Sequence, residues 1–299
     1  MAVATACSGL VVFVAAFSAW SLMPYTTPMT PERIAKYGKW AVVAGASEGL
    51  GAAWGDELAT HGLNVLLMAR SPNKLETVAQ AIRQRHGVEV VTLVQDLMTI
   101  TKQDVLDKVI SDRDVGFFVF NAAYMAGGEF LTQPLEEHLK VSQLNVNTLL
   151  TMTHPIAEYM KTRGHGGMVL MGSMAGTVGT AYYPTYSSTK SFIASLSRAL
   201  WYELRPHNVD VVGCIAGATT TPSYLSAAAE AGDQRSTMIE QSPEAVVTEC
   251  LAACGSTGAV ATGALNKLSQ MLLKHWLPAD QAVQFISKVT DLQTRGGQR

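Results

Sequence analysis

The chain is 299 residues long, 48% apolar and only 15% charged, with a formal net charge of -2. A disordered chain is excluded, because that class needs low hydrophobicity and high net charge. The near-neutral balance is not that of a nucleic-acid binder, and four cysteines (Cys7, Cys214, Cys250, Cys254) are too few for a disulfide scaffold.

Residues 2–23 carry no charged side chain, and residues 10–17 read LVVFVAAF. A helix of that length crosses a hydrocarbon core of about 30 Å. No positive region precedes it, unlike a secretory signal peptide. Pro24, Pro28 and Pro31 follow and stop a helix, and Arg33, Lys36 and Lys39 come next. Those cations hold the following chain in the cytosol by the positive-inside rule. Residues 1–23 are therefore expected to form a hydrophobic amino-terminal helix that anchors the protein to a membrane, with the remainder facing the cytosol. Their alanine and serine content leaves open a helix packed on the domain or a partner in a cytoplasmic protein. Residues 24–39 read as a linker.

From Trp40 onward short apolar runs alternate with helical lengths. Residues 40–45 (WAVVAG) read as a strand, followed by a glycine turn and a helix to about residue 61. Residues 64–69 (NVLLMA) repeat the strand, and a helix runs from Pro72 to near Gly87. Residues 88–94, 116–120, 168–171 and 209–215 are further strand runs. Near-continuous apolar strands, each followed by a helix, indicate a parallel sheet covered on both faces. No repeat or linker divides residues 40–299, so the fold class is α/β, a single doubly wound domain.

Ala44-Gly45-Ala46-Ser47-Glu48-Gly49-Leu50-Gly51 joins the first strand to the first helix. Glycine there lets the backbone approach a pyrophosphate while the helix amino terminus supplies N–H donors. The second strand ends in Ala69-Arg70-Ser71. An acidic residue at that place would bind the ribose hydroxyls of NAD, whereas a guanidinium can pair with a 2′-phosphate. NADP(H) is thus preferred over NAD(H), although Glu48 is an unhelpful neighbour for a phosphate.

Tyr186 and Lys190, four residues apart, fall on one helical face. A phenol near pKa 10 exchanges protons poorly at neutral pH. A neighbouring ammonium would lower it and make Tyr186 a usable acid or base. Ser173 lies thirteen residues earlier, just past the strand at residues 168–171. There a hydroxyl can hold a substrate oxygen.

These segments resemble the classical short-chain dehydrogenase/reductase family over most of residues 38–225. The family's TGxxxGxG appears as AGASEGLG, with Ala44 in place of threonine. The resemblance implies a Rossmann-type fold, an adenine contact at Asp96 with Leu97 beside it, and a turn after the fourth strand at Asn121-Ala122-Ala123. The helix asparagine of the catalytic tetrad corresponds best to Asn145, with Asn147 as the alternative; Ser173, Tyr186 and Lys190 complete it. The segment PGxxxT appears as Ala216-Gly217-Ala218-Thr219-Thr220-Thr221. Thr221 is placed to bind the nicotinamide carboxamide, and Thr219 is the second candidate. The departures at Ala44, Phe120, Ala123 and Ala216 affect turn geometry. The tail, with Gly263-Ala264-Leu265-Asn266-Lys267, resembles less specifically a ketoacyl reductase-like or hydroxysteroid dehydrogenase-like branch.

The family mechanism implies hydride transfer between NADP(H) and a carbonyl or secondary alcohol. Tyr186 donates or accepts the proton, Ser173 binds the same oxygen, Lys190 also holds the nicotinamide ribose, and Asn145 supports a water leading to solvent. The family also implies a homodimer or homotetramer, paired through helices near residues 145–161 and 186–204. A catalytically silent NADP(H)-binding sensor or scaffold is the alternative, and an epimerase or dehydratase sharing YxxxK is a further one. Residues 221–243 are expected to cover a small-molecule substrate, with Tyr224, Leu225 and Met238 lining an apolar pocket or simply packing the segment down. Leu265, Leu268, Leu272 and Trp276 fall near helical spacing, a stripe for the core or lid, with membrane contact as the alternative. An anchored chain would favour a lipophilic substrate such as a 3-oxoacyl chain or a steroid-like ketone. Cys250 and Cys254 are read as buried apolar residues, and no metal site is expected.

Overall fold

The computed structural model describes residues 28–230 and 240–295. The hydrophobic helix expected over residues 1–23 lies outside them, as does Met238.

The first described element is a short helix, α1 (Pro31–Ala35), in the stretch expected to be a linker. Pro31, expected to stop a helix, instead opens one, because proline at the first helical position forfeits no hydrogen bond. Thr30 caps it by accepting from the Arg33 amide at 3.3 Å. Ile34 and Tyr37 are buried, and the Tyr37 hydroxyl donates to Asp210 at 2.7 Å. Lys36 pairs with the same carboxylate at 3.0 Å. This stretch is therefore packed onto the domain.

The sheet comprises β1 (Trp40–Ala44), β2 (Asn64–Ala69), β3 (Val90–Val94), β4 (Val115–Phe120), β5 (Gly166–Ser173), β6 (Val209–Ala216) and β7 (Ala259–Ala261). All pairings are parallel, in the order β3-β2-β1-β4-β5-β6-β7. The strand β7 has no counterpart in the sequence reading, because three residues are too few to show a period.

Side chains alternate across the sheet. Phe117 and Val119 of β4 join one core with Trp54 and Leu58 of α2 (Gly49–Thr60), Leu75 of α3 (Pro72–His86) and Leu251. Phe118 and Phe120 face the other way, onto Leu149, Met152, Ile156 and Ile193. That second layer is built from α4 (Leu135–Ser142), α5 (Leu149–Arg163) and α6 (Pro184–Leu204). The turn between α4 and α5, Gln143–Thr148, is π-wound, a distortion that tends to mark functional positions.

After β6 come α7 (Pro222–Glu230), α8 (Pro243–Ala253), α9 (Ala264–Met271) and α10 (Ala279–Arg295). Of the stripe expected to face the core or a lid, with membrane contact as the alternative, Leu268 is half-buried. Leu265, Leu272 and Trp276 are 49%, 43% and 54% exposed, and the inward residue is Leu273. The helix continues past Met271 as a π-wound turn, Leu272–Trp276. Among the described residues no helix is long and apolar enough to cross a membrane.

The chain passes from β1 outward through β2 and β3 and then returns to β4 on the other side of β1. At such a reversal the loops leaving two neighbouring strands diverge and open a crevice at their carboxyl ends.

Candidate active site

The crevice is a cleft of about 640 Å³. Its floor begins with the turn between β1 and α2. A Cβ on Gly51 would lie 1.9 Å from the Gly45 carbonyl oxygen, and one on Gly45, at φ +88°, would lie 2.7 Å from the backbone of Ala122. Backbone packs on backbone here, so only glycine fits at either place. Asn121 holds the turn from the side, donating its amide to Gly45 O at 2.8 Å, while the Asn121 and Ala122 N–H groups donate to Ala44 O. Glu48 precedes α2 in extended conformation and makes no side-chain cap. The helix thus opens on the cleft with uncapped N–H donors.

Gly45, Ser47, Glu48, Gly49, Leu50 and Ala122 all line the cleft, as does Asn121. Gly51 does not; it is buried beneath the turn. Arg70 lines the end beyond β2 and is exposed. Two neighbours that sequence reasoning missed, Ser71 and Lys74, line it too. Lys74 pairs with Glu48 at 2.7 Å, which neutralises the carboxylate that counted against a phosphate. The signal available in the sequence was a second cation four residues after Arg70, in the first turn of α3. Asp96 and Leu97 line the same end, and one Asp96 oxygen accepts from the Met98 amide at 3.0 Å.

Ser173, the last residue of β5, and Tyr186 and Lys190 of α6 line the opposite end. The Lys190 ammonium is buried, donates to Met171 O at 2.8 Å and stands 5.5 Å from the centroid of the Tyr186 ring. Burial pushes Lys190 down to about 8. The Tyr186 phenol is also moved, but upward: burial raises its pKa, and a hydrogen bond with Ser173 only partly opposes this. That corrects the expectation that Lys190 lowers it. The ammonium is anchored on a carbonyl, and its own charge is disfavoured by the same desolvation.

Asn145 does not line the cleft. It is fully buried in the π-wound turn, accepts from the Tyr124 amide at 2.8 Å, and donates to Tyr124 O at 2.9 Å and Thr189 at 3.1 Å. Asn147 is exposed and bonds to Gln143 within its own helix. Of the two, Asn145 is the one tied to the catalytic helix.

Gly217, Thr219 and Thr221 line the cleft after β6. Thr219 is buried and donates to Gly217 O at 3.1 Å, while Thr221 accepts from the Tyr224 amide at 3.3 Å. Tyr224 lines the cleft and donates to Glu240 at 2.9 Å; Leu225 is half exposed. Cys214, Cys250 and Cys254 are buried and free, and burial pushes the Cys254 thiol up to about 12. Among the described residues no group of three or more His, Cys, Asp or Glu side chains is placed to hold a metal.

The profile of the family described as short chain dehydrogenase matches residues 39–231. The chain belongs to the short-chain dehydrogenase family. The chain is 29% identical over 232 residues to a 7beta-hydroxysteroid dehydrogenase of Clostridium sardiniense, covering 78% of this chain and 88% of that one. It is 34% identical over 228 residues to a very-long-chain 3-oxoacyl-CoA reductase of Podospora anserina, covering 74% and 65%. It is 27% identical over 254 residues to a rat inactive hydroxysteroid dehydrogenase-like protein 1, covering 83% and 75%. A solved 7beta-hydroxysteroid dehydrogenase superposes with a TM-score of 0.79 at 28% identity, covering 86% and 99%. A short-chain dehydrogenase from Sphingobium yanoikuyae in complex with NADPH does so with 0.67 at 26% identity, covering 75% and 87%. The family is one of oxidoreductases that interconvert small-molecule carbonyl and alcohol groups with a nicotinamide dinucleotide.

Proposed function

We propose that the protein is an NADP(H)-dependent reductase of a lipophilic ketone, working through Tyr186 as the acid. The observation that carries this reading is the convergence of Ser173, Tyr186 and Lys190 at one end of a cleft whose other end holds the glycine turn, Arg70, Ser71 and Lys74. A dinucleotide fits the residues present. The turn is one that a Cβ at Gly45 or Gly51 would fill, and α2 opens on the cleft without a side-chain cap. Arg70 and Ser71 offer a cation and a hydroxyl to a 2′-phosphate, with Lys74 beside them balancing the charge of Glu48. When bound, the dinucleotide supplies or accepts the hydride at the substrate carbon.

The chain's own residues do the rest. Ser173 and Tyr186 bind the carbonyl oxygen, and the phenol, kept protonated by burial, donates its proton as the oxygen gains charge. Lys190, with a pKa near 8, recharges the phenolate and offers its remaining N–H groups to the ribose hydroxyls. Asn145 holds the backbone of Tyr124 against Thr189 of α6, the residue before Lys190, and so acts by positioning the catalytic helix. Oxidation of an alcohol follows the same path in reverse.

The likeness to an inactive hydroxysteroid dehydrogenase-like protein favours a second reading, a silent NADP(H)-binding sensor. A Tyr186→Phe variant separates the two. On the catalytic reading it loses at least about 100-fold of carbonyl reduction while its NADPH affinity is unchanged. Full activity in that variant refutes the mechanism. The substrate class is tested by following NADPH oxidation with ketosteroids, 3-oxoacyl thioesters and small ketones. Turnover of the small ketones alone would refute a lipophilic substrate. A membrane anchor in residues 2–23, with the catalytic domain in the cytosol, and a homodimer or homotetramer complete the proposal. Sedimentation of the full chain with membranes, lost on deleting residues 2–23, tests the anchor. A monomeric mass by light scattering in mild detergent would refute the oligomer.

A further inference from the structure

The tail segment containing Asn266 takes no part in the chemistry described above, yet it lies directly behind the cofactor end of β6. Gly217, Ala218 and Thr219 line the cleft on one side. On the other side the Asn266 carboxamide is packed onto Gly217. A Cβ added there would meet its Nδ2, Cγ and Oδ1 at 2.3, 2.8 and 2.9 Å. Asn266 is itself fixed, donating to Thr262 O at 2.8 Å.

Gln241 clasps the same turn through its backbone. Its N–H donates to Ala218 O at 3.0 Å, its carbonyl accepts from the Thr220 amide at 3.0 Å, and it forms a bridge with Thr219. The Gln241 carboxamide, turned to suit its neighbours, donates to the hydroxyl and the carbonyl of Thr262, each at 3.0 Å. Glu249 of α8 closes the arrangement, accepting from the Gly263 amide at 2.6 Å and pairing with Lys267. Neither Asn266, Gln241 nor Thr262 lines the cleft, so any effect on ligand must pass through the 217–221 turn.

We infer that Asn266 and Gln241 are positioning residues that hold the 217–221 turn in register for the nicotinamide end of the cofactor. The inference rests on the NADP(H) reading above. It assigns work to the tail: β7 is a three-residue edge strand, and the polar node fastens the turn to that edge. A turn freed from the node loses its contacts to the nicotinamide half of the dinucleotide and leaves the adenosine half untouched, since Arg70 and Asp96 follow β2 and β3 on the far side of β1.

The test uses the full chain and compares NADPH with 2′-phospho-ADP-ribose, which lacks the nicotinamide end. Dissociation constants come from fluorescence titration and from calorimetry. Asn266→Ala, which removes the carboxamide packed on Gly217, is expected to weaken NADPH about tenfold and 2′-phospho-ADP-ribose less than twofold, a difference of about 1 kcal/mol or more. Gly217→Ala should weaken NADPH in the same selective way, because its Cβ meets Asn266. The double variant should then bind no worse than the weaker of the two single ones, since removing the carboxamide makes room for the methyl. Equal losses for both ligands, no loss, or additive losses in the double variant would overturn the inference. Failure of the unaltered chain to bind NADPH would overturn the cofactor reading, and this inference with it.

Discussion

Replacing Lys190 with methionine separates what the lysine costs from what it does. Its ammonium is 3% exposed, with the Met171 carbonyl at 2.8 Å, and burial lowers its pKa from 10.5 to about 8. A displacement of that size corresponds to roughly 3 kcal/mol against the charged form. Between about pH 8 and 10.5 the unfolded chain binds more protons than the folded one, so stability rises with pH there. The penalty is fully present below pH 8 and is relieved as pH climbs toward 10.5. From pH 7 to 9.5 the unaltered protein should therefore gain about 2 kcal/mol relative to Lys190→Met, which lacks this dependence. Urea midpoints measured on both proteins at both pH values, without dinucleotide, give the comparison directly. At pH 7 the variant should be at least as stable as the parent, yet reduce carbonyls at least about 100-fold more slowly. A stability difference that stays constant with pH would refute the argument that Lys190 is held charged at a desolvation cost.

Two further substitutions probe the cofactor end. Gly51→Ala places a Cβ 1.9 Å from Gly45 O and 2.8 Å from the Asn121 amide, neither of which can move without opening the turn. It should lower stability by about 1–3 kcal/mol and abolish dinucleotide binding, and a variant with unchanged Tm and NADPH affinity would contradict the packing. Arg70→Ala combined with Lys74→Ala should raise the KM for NADPH by about tenfold or more while leaving that for NADH unchanged. Equal losses with both dinucleotides would remove the 2′-phosphate assignment.

Much of the fold can be read from the chain because five of its strands are apolar runs buried along nearly their whole length, and such runs are visible without partners. Val115–Phe120 is buried at every position, so no polar residue interrupts the signal. Three features escape for physical reasons. The strand Ala259–Ala261 is too short to show periodicity and exists because β6 offers it an edge. Helix α1 owes its place to Ile34 and Tyr37 docking on the domain, with Asp210 as a partner 173 residues away for Tyr37. The stripe at Leu265, Leu272 and Trp276 is exposed because spacing shows that a helix has an apolar face but not which surface, if any, covers it.

The site divides in the same way. Ser173, Tyr186, Lys190 and the glycine turn are found from local spacing, because each lies at the carboxyl end of a strand or in the first turns of the helix that follows. What spacing does not carry is the sign of an electrostatic effect. Tyr186 and Lys190 sit on one helical face as expected, yet the phenol moves up and the ammonium down, since burial disfavours the charged form of each. Pairings between distant segments are equally hidden: Lys74 with Glu48, 26 residues apart, reverses an argument against a phosphate, and Asn266 on Gly217 gives the tail a task that no motif contains. The residues that perform the chemistry are thus encoded locally. The groups that set their protonation and hold their loops are encoded by the packing, and for that reason substitutions at Lys74, Gln241 and Asn266 test the structure more sharply than substitutions within the motifs.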